Sequence, residues 1–406
     1  MCQVALKLNA NPRVNIYINF NLMTNNSIIG FWGLSFNSGN MGCNALSYSF
    51  LHILGRCTTQ KLKVYVFYQG NDFDTKLLST DKITVVSASY NPRSLSSMKT
   101  LVKRVKECVI SFDFTAGDSF SDIYGMKGFI KSCLLKKMAM RYSGKFVLGP
   151  QTYGPYYHKI AQKIAKDIIA NADYACSRDN ASAEYVNSLF GIKMDVFTDV
   201  AFALPFVNGH TLPKTKKKVG INVSGLLWRG GYTGNNQFGL KVDYRSYIKA
   251  LIKELEKQVN IDVYIIPHVV SVNGAESDYA VSEQIAKEYT HVHLAPRFNN
   301  PIEAKSFIAE MDVFTGARMH ATIGAFSAGV VTIPFSYSRK FEGLYENLGY
   351  PYTINARQLS TQEAVDRTLD YIKNHDKLKI AQMKSFSVIE DKLKQFEINV
   401  TKLLNE

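Results

Sequence analysis

No uncharged apolar run in this 406-residue sequence approaches the roughly 18–20 residues that span a bilayer. The longest apolar stretches, such as VVTIPF, have the length of buried strands. The opening MCQVALKLNANPRV lacks the basic start, apolar block and small-residue cleavage site of a secretory signal. Cysteine is sparse, with six residues at 2, 43, 57, 108, 133 and 176 and no Cys-x-x-Cys pair. That spacing excludes a disulfide frame and a zinc site, and reads as free thiols of a reducing compartment. Repeats of 20–50 residues are absent, which excludes a solenoid. Acid is scarce against base, 34 residues to 48, for a net charge of +14. This excess favours an anionic partner: nucleic acid, a headgroup surface, or a phosphorylated or acidic substrate. With no recognisable nucleic-acid module, the expectation is no nucleic acid. What remains is a cytoplasmic enzyme, with contact to the inner face of the cytoplasmic membrane left open.

The composition, 46% hydrophobic and 20% charged, is that of a globular protein, and the length suits two domains. Residues 1–27 are polar and Asn-rich and read as an N-terminal extension. From Ile28 the pattern is strand, loop, helix. IIGFWGLSF, KLKVYVFY, KITVVSAS, CVISFDF, KFVLG and ADYACS are β-branched and aromatic, with helices expected at 45–54, 156–171 and 179–189. Residues 206–218, FVNGHTLPKTKKK, break the pattern and read as a linker whose basic run is solvated. The alternation restarts with VGINVSGL, DVYIIP, HVHLA, DVFTG and VVTIPF, with helices expected at 244–259, 277–289, 301–310, 319–328 and 340–348. Alternating β and α means parallel sheets covered on both faces. The fold class is therefore α/β: two doubly wound Rossmann-like domains, 28–205 and 219–359, facing across a cleft. Helices follow over 360–406. Their stripe of Phe386, Ile389, Leu393, Phe396, Val400 and Leu403 suits either a homodimer seam or packing within the chain.

Ligands of open α/β sheets bind beyond the carboxyl ends of strands. After the first strand, NSGNMGCNAL offers Asn40, Gly42 and Asn44 before a helix, a place for an anion or a sugar or simply a tight turn. It does not have the G-x-G-x-x-G spacing of dinucleotide binding. After CVISFDF, Asp118 and Ser119 sit on a glycine-containing loop with Asp122 behind them, placing a carboxylate that can accept a proton or cap a helix. After KFVLG come Gln151, Thr152 and Tyr153, uncharged hydrogen-bonding groups. After ADYACS, Arg178 and Asp179 open a helix, as an anion site or a local ion pair. In the second half Trp228, Arg229 and Tyr232 lie on a Gly/Asn-rich loop that narrowly misses the phosphate-cradling pattern, so ATPase chemistry is disfavoured. DVFTGARMHATIGAFSAG is the strongest site: Arg318 and His320 start a helix directly after a strand, pairing a bidentate anion clamp with an imidazole. Arg339 and Lys340 add charge at another helix start, and His268 with Asp278 faces the expected cleft. His291 and His293 have no partners at metal-ligand spacing, so no metal is expected.

In this order the segments GFWGLSFNSGNMGCNAL, FDFTAGDSFSDIYG, VLGPQTYGP, ACSRDNAS, TDVAFALP, VGINVSGLLW, IIPHV and TGARMHATIGAFSAGVVTIPFSYSRKFEGL resemble the polysaccharide pyruvyl transferase family. One departure is Cys43, where many members carry an acidic residue. The resemblance implies a GT-B-like architecture, phosphoenolpyruvate as donor, and a hexose of a glycan or lipid-linked precursor as acceptor, joined as a ketal. It implies His320 as the motif histidine and acid/base candidate, with Arg178 and Lys340 holding the donor and Arg318 as the motif arginine; Arg318 and Arg339 are further donor-binding candidates. Asp118 is then the acceptor-side base. Asn40, Gly42, Asn44, Ser119, Gln151, Trp228, Arg229 and His268 line the cleft. No step needs a redox cofactor or compels a metal. The alternative on the same scaffold is a nucleotide-sugar glycosyltransferase.

Overall fold

The computed structural model describes residues 27–406 except 210, 214 and 272–275. The expected N-terminal extension thus lies outside the described residues, save Ser27. Strands β1 (Ser27–Trp32), β2 (Leu62–Gln69), β3 (Ile83–Tyr90), β4 (Ile110–Asp113), β5 (Lys145–Gln151), β6 (Tyr174–Ser177) and β7 (Asp195–Val196) form one sheet in the order β3-β2-β1-β4-β5-β6-β7. Strands β8 (Lys217–Asn222), β9 (Ile261–Ile265), β10 (Val292–Leu294), β11 (Val313–Gly316), β12 (Val331–Ser336) and β13 (Ile354–Asn355) form a second, ordered β10-β9-β8-β11-β12-β13. All pairings are parallel. The strands are near-continuous apolar runs because helices cover both faces; all six residues of β12 are buried. The short β7 and β13 carry too little sequence to stand out from the loops around them.

In the first half the helices are α1 (Met41–Cys57), α2 (Leu95–Glu107), α3 (Met126–Tyr142), α4 (Lys159–Asn171) and α5 (Asn180–Phe190). In the second they are α6 (Gly225–Trp228), α7 (Tyr244–Glu256), α8 (Asp278–Glu288), α9 (Pro301–Ile308), α10 (Met319–Ser327) and α11 (Arg339–Asn347). Two more, α12 (Thr361–Lys373) and α13 (His375–Asn405), close the chain. Side-chain caps fix several starts: Asn40 at α1, Asp179 at α5, Asn300 with Pro301 at α9, and a Ser360–Glu363 capping box at α12.

The two closing helices are not a separate unit. The Thr368 hydroxyl of α12 meets Tyr247 of α7 at 2.9 Å. Helix α13 crosses from the second half to the first. Its Gln382 bonds the Phe326 and Val330 carbonyls at 3.1 and 2.7 Å and accepts from the Thr332 amide at 3.0 Å. Further along, the Phe396 ring sits 5.2 Å from Phe197 and 6.2 Å from Phe50, and Glu397 pairs with Arg56. Ile389, Phe396 and Val400 are fully enclosed, so the apolar stripe is consumed inside the chain. One core cluster runs from Phe50 and Phe112 of the first half to Phe326 and Tyr345 of the second, so the halves are fastened together. Among the described residues, no helix is long and apolar enough to cross a membrane.

Candidate active site

Winding reverses at β1/β4 in the first sheet and at β8/β11 in the second, and ligands of doubly wound sheets bind beside such points. The loops there meet. The Met41 amide donates to the His268 carbonyl at 3.1 Å, and the Val270 amide to the Gly39 carbonyl at 2.8 Å, around an antiparallel bridge of Asn40 with Val269. Asn40 and Asn44 are occupied in shaping this loop: Asn40 Oδ1 accepts from the Gly42 amide at 2.9 Å, and Asn44 bonds both backbone groups of Ser38. The glycines serve the protein's own second half. A Cβ on Gly42 would stand 2.5 Å from His320 Nδ1, and one on Gly39 would stand 2.8 Å from the Ser271 side chain.

His320 therefore rests on the first turn of α1 while itself lying in the first turn of α10. Its Nε2 is 3.7 Å from Asp199 Oδ2, an ion-pair distance too long for a hydrogen bond. The same oxygen accepts from Arg178 Nη1 at 2.8 Å. Asp199 is completely enclosed, and its other oxygen accepts from the Ala201 amide at 2.9 Å. Burial alone would raise its carboxyl; Arg178, His320 and that amide reverse this and hold it far below the ordinary range. Arg178 donates Nε to Thr152 Oγ1 at 2.9 Å. Its Nη2 is buried and has no hydrogen-bond partner among the described residues, nor has His320 Nε2. Gly117, at φ +87°, lets the chain pass Arg178: a Cβ there would lie 3.0 Å from Nη1. A buried guanidinium with an unspent donor beside an imidazole, where helices α1, α5 and α10 begin, can receive an anion and deliver a proton to it.

Arg318 is placed differently. Its Nε and Nη2 lie 3.1 and 2.9 Å from Asp278 Oδ1, and Nη2 also donates to the Glu276 carbonyl at 2.7 Å. Burial opposes the charge, but Asp278 overcompensates and raises the Arg318 pKa. Asp278, fully buried, also accepts from the Gly225 and Val269 amides at 2.8 and 3.0 Å. This pair ties the ends of β8, β9 and β11 together, so Arg318 builds the floor of the site. His268 is enclosed beside it; burial first, then His320 and Arg318, pull its pKa down to about 3, so its ring is neutral.

Asp118 faces a set of tyrosines from both halves. Tyr124 Oη lies 3.4 Å from Asp118 Oδ2, Tyr232 bonds Glu276, and Tyr337 sits in the field of Asp118, Glu276 and Arg318. All three hydroxyls are raised above the ordinary tyrosine range, by desolvation first and by Asp118 and Glu276 after it. They remain protonated donors on the cleft wall.

Gln151 is wholly enclosed and donates to the Asp113 carbonyl at 3.1 Å, bracing β5 against β4 instead of facing the cleft. Trp228 and Arg229 line a separate cavity of about 480 Å³ with Phe238 and Arg245. Ser119 lines another, of about 460 Å³, in the first half. Arg339 and Lys340 begin α11, but their side chains lie outside what the structure describes. Asp122, behind Asp118, is spent on the Tyr157 and His158 amides. Among the described residues no three His, Cys, Asp or Glu side chains gather as a metal site. Sequence reasoning did not single out Asp199, although TDVAFALP contains it, nor Tyr124 and Tyr337.

The family model described as polysaccharide pyruvyl transferase matches residues 40–339, most of the chain, including Arg178, Asp199, Arg318 and His320. No curated protein matches. Among solved structures, a UDP-GlcNAc 2-epimerase from Neisseria meningitidis bound to UDP-GlcNAc superposes with a TM-score of 0.57 at 11% identity, covering 93% of this chain and 100% of that one. Anabaena HepE in complex with UDP and glucose gives 0.57 at 14% identity, covering 93% and 99%. These neighbours establish the two-domain GT-B fold.

Proposed function

This chain belongs to the polysaccharide pyruvyl transferase family, and from that premise we propose that it transfers the pyruvyl group of phosphoenolpyruvate to two hydroxyls of a glycan hexose, forming a ketal and releasing phosphate. The observation that carries the reading is Arg178: a buried guanidinium with one unspent Nη2, sharing Asp199 with His320. Phosphoenolpyruvate brings a carboxylate and a phosphate, and a preorganised cation in a water-poor site holds such groups at little reorganisation cost.

In this reading His320, paired with Asp199, protonates the donor's methylene carbon. A sugar hydroxyl adds to the neighbouring carbon, and its proton goes to a base, for which Asp118 stands on the acceptor side. A second hydroxyl then attacks the same carbon, the carbon–oxygen bond to phosphate breaks, and phosphate leaves with the balancing proton. Methyl, carboxylate and two sugar oxygens remain on one carbon. Arg178 meets the charge that grows on the departing phosphate. His268, neutral, adds no competing cation. Arg339 and Lys340, at the start of α11, are the further donor-holding cations of this reading, and the acceptor is a polysaccharide or its lipid-linked precursor.

Thermal-shift titration with phosphoenolpyruvate, beside UDP, GDP and CMP, tests it, since a ligand of the native state raises Tm by mass action. Stabilisation by phosphoenolpyruvate, lost in Arg178→Met, is expected. Stabilisation by a nucleotide and not by phosphoenolpyruvate would overturn it in favour of a nucleotide-sugar transferase.

A further inference from the structure

We propose that the cavity at the switch point of the first sheet is the acceptor subsite, a pocket for the hexose residue that receives the pyruvyl group. The proposal rests on the transferase reading above and adds to it where the acceptor sits. The cavity measures about 460 Å³ and lies beyond the carboxyl ends of four strands, with Trp32 from β1, Phe67 from β2, Tyr90 from β3 and Asp113 from β4. That volume is within the usual range for a small-molecule site. Its position beside β1/β4 is where a doubly wound sheet takes its ligand.

Its chemistry is that of a sugar site. The walls are aromatic, with Trp32 and Phe67 stacked at 4.3 Å, and they suit the C–H faces of a pyranose. Fixed polar groups lie among them. Lys136 Nζ and Asp113 Oδ2 form an ion pair at 3.2 Å, and Asp113 Oδ1 also accepts from Thr115 Oγ1 at 2.6 Å. Trp32 is only 3% exposed, and its Nε1 has no hydrogen-bond partner among the described residues.

The location connects it to the donor. Cys43 lines the cavity, and the residue before it, Gly42, backs onto His320 Nδ1. Ser119 lines the cavity too, and the residue before it is Asp118. The cavity and the imidazole thus both border the first turn of α1.

The sequence has two tryptophans, so Trp228→Phe leaves Trp32 as the sole reporter. Full-length Trp228→Phe protein, saturated with phosphoenolpyruvate, is titrated with the methyl β-glycosides of glucose, galactose and mannose while Trp32 emission is followed. A saturable change with at least one glycoside is expected. Gly128 lines the mouth, and a Cβ there meets nothing within 4 Å, so Gly128→Phe fills the cavity without a clash at the backbone. It is expected to raise the acceptor KM by about tenfold or more, while Gly128→Ser stays near wild type. Phosphoenolpyruvate stabilisation is expected to persist in both variants. No saturable Trp32 response to any of the three glycosides, or an unchanged acceptor KM in folded Gly128→Phe, overturns the proposal. A glycoside response without stabilisation by phosphoenolpyruvate keeps the pocket as a sugar site and removes the donor reading instead.

Discussion

Asp199→Asn separates catalysis from binding at the centre of the site. The carboxylate is fully buried, with one oxygen 2.8 Å from Arg178 and 3.7 Å from His320. At an effective dielectric of about 20, unit charges about 4 Å apart attract by about 4 kcal/mol. An imidazolium that must form or persist as the proton moves loses that support in the amide variant. Four kcal/mol is about three powers of ten in rate, so kcat is expected to fall about a thousandfold. Donor binding goes the other way: removing a negative charge beside Arg178 leaves the pocket more cationic, so phosphoenolpyruvate stabilises the variant at least as well as wild type. Stability drops because Arg178 is left buried without its counter-ion, a loss on the order of 3–5 kcal/mol. The Asp199 carboxyl lies below its ordinary 3.8 when folded, so its contribution is present above that value and fades as pH falls toward the folded pKa. The Tm gap between wild type and variant is therefore full at neutral pH and narrows below about pH 4. Phosphate-release kinetics and donor thermal shift, run on the same preparations, decide it. A kcat within about threefold of wild type, or donor stabilisation abolished while kcat survives, refutes the arrangement.

Gly42→Ala is expected to push the His320 ring off Asp199, since the new methyl would stand 2.5 Å from Nδ1. Turnover falls at least about tenfold while donor-induced stabilisation stays, and normal kinetics in the variant would show that the ring is free to move. Lys305→Met concerns a buried ammonium whose pKa is pulled down to about 7 by burial alone, with Nζ donating to the Leu204 carbonyl at 2.6 Å. Between that value and 10.5 the unfolded chain binds more protons, so wild type gains stability as pH rises. The variant is therefore expected to melt higher than wild type near pH 6, with the gap shrinking toward about pH 10, and a gap independent of pH would refute the assignment.

Much of the scaffold was legible because its determinants are local. Strands buried on both faces are continuous apolar runs, and the breaks between them carry Gly, Asn, Asp and Pro. Arg178 and His320 were legible for the same reason: each stands at a helix start shortly after a strand, Arg178 after β6 and His320 after β11. Asp199 was not, because an Asp ahead of apolar residues reads as a cap. It does cap the turn Val200–Ala203, through the Ala201 amide. Its second oxygen, the one that joins Arg178 to His320, answers to partners distant in sequence. Arg318 shows the converse. Its position predicts an anion clamp, and the fold spends two of its donors on Asp278. At Gly39 and Gly42 the space a side chain would take is filled by Ser271 and His320, and residue type alone cannot say which body fills it.

What assigns these roles is the meeting of two switch points. Each sheet reverses its winding once, beside β1 and beside β8, and each reversal opens a gap at the carboxyl ends of its strands. Separately, the first gap is an aromatic cavity and the second an Arg318–Asp278 floor, and neither holds the His320–Asp199 pair. The pair arises because the loop after β1 hydrogen-bonds the segment after β9, Met41 to His268 and Val270 to Gly39. That contact brings His320, from the second half, onto a helix start of the first, within reach of Asp199 and Arg178. The imidazole is thus borne by one half and charge-paired by the other. Any opening of the cleft that broke the two backbone bonds would withdraw His320 from Asp199 in the same movement, so in the proposed mechanism proton delivery belongs to the closed state.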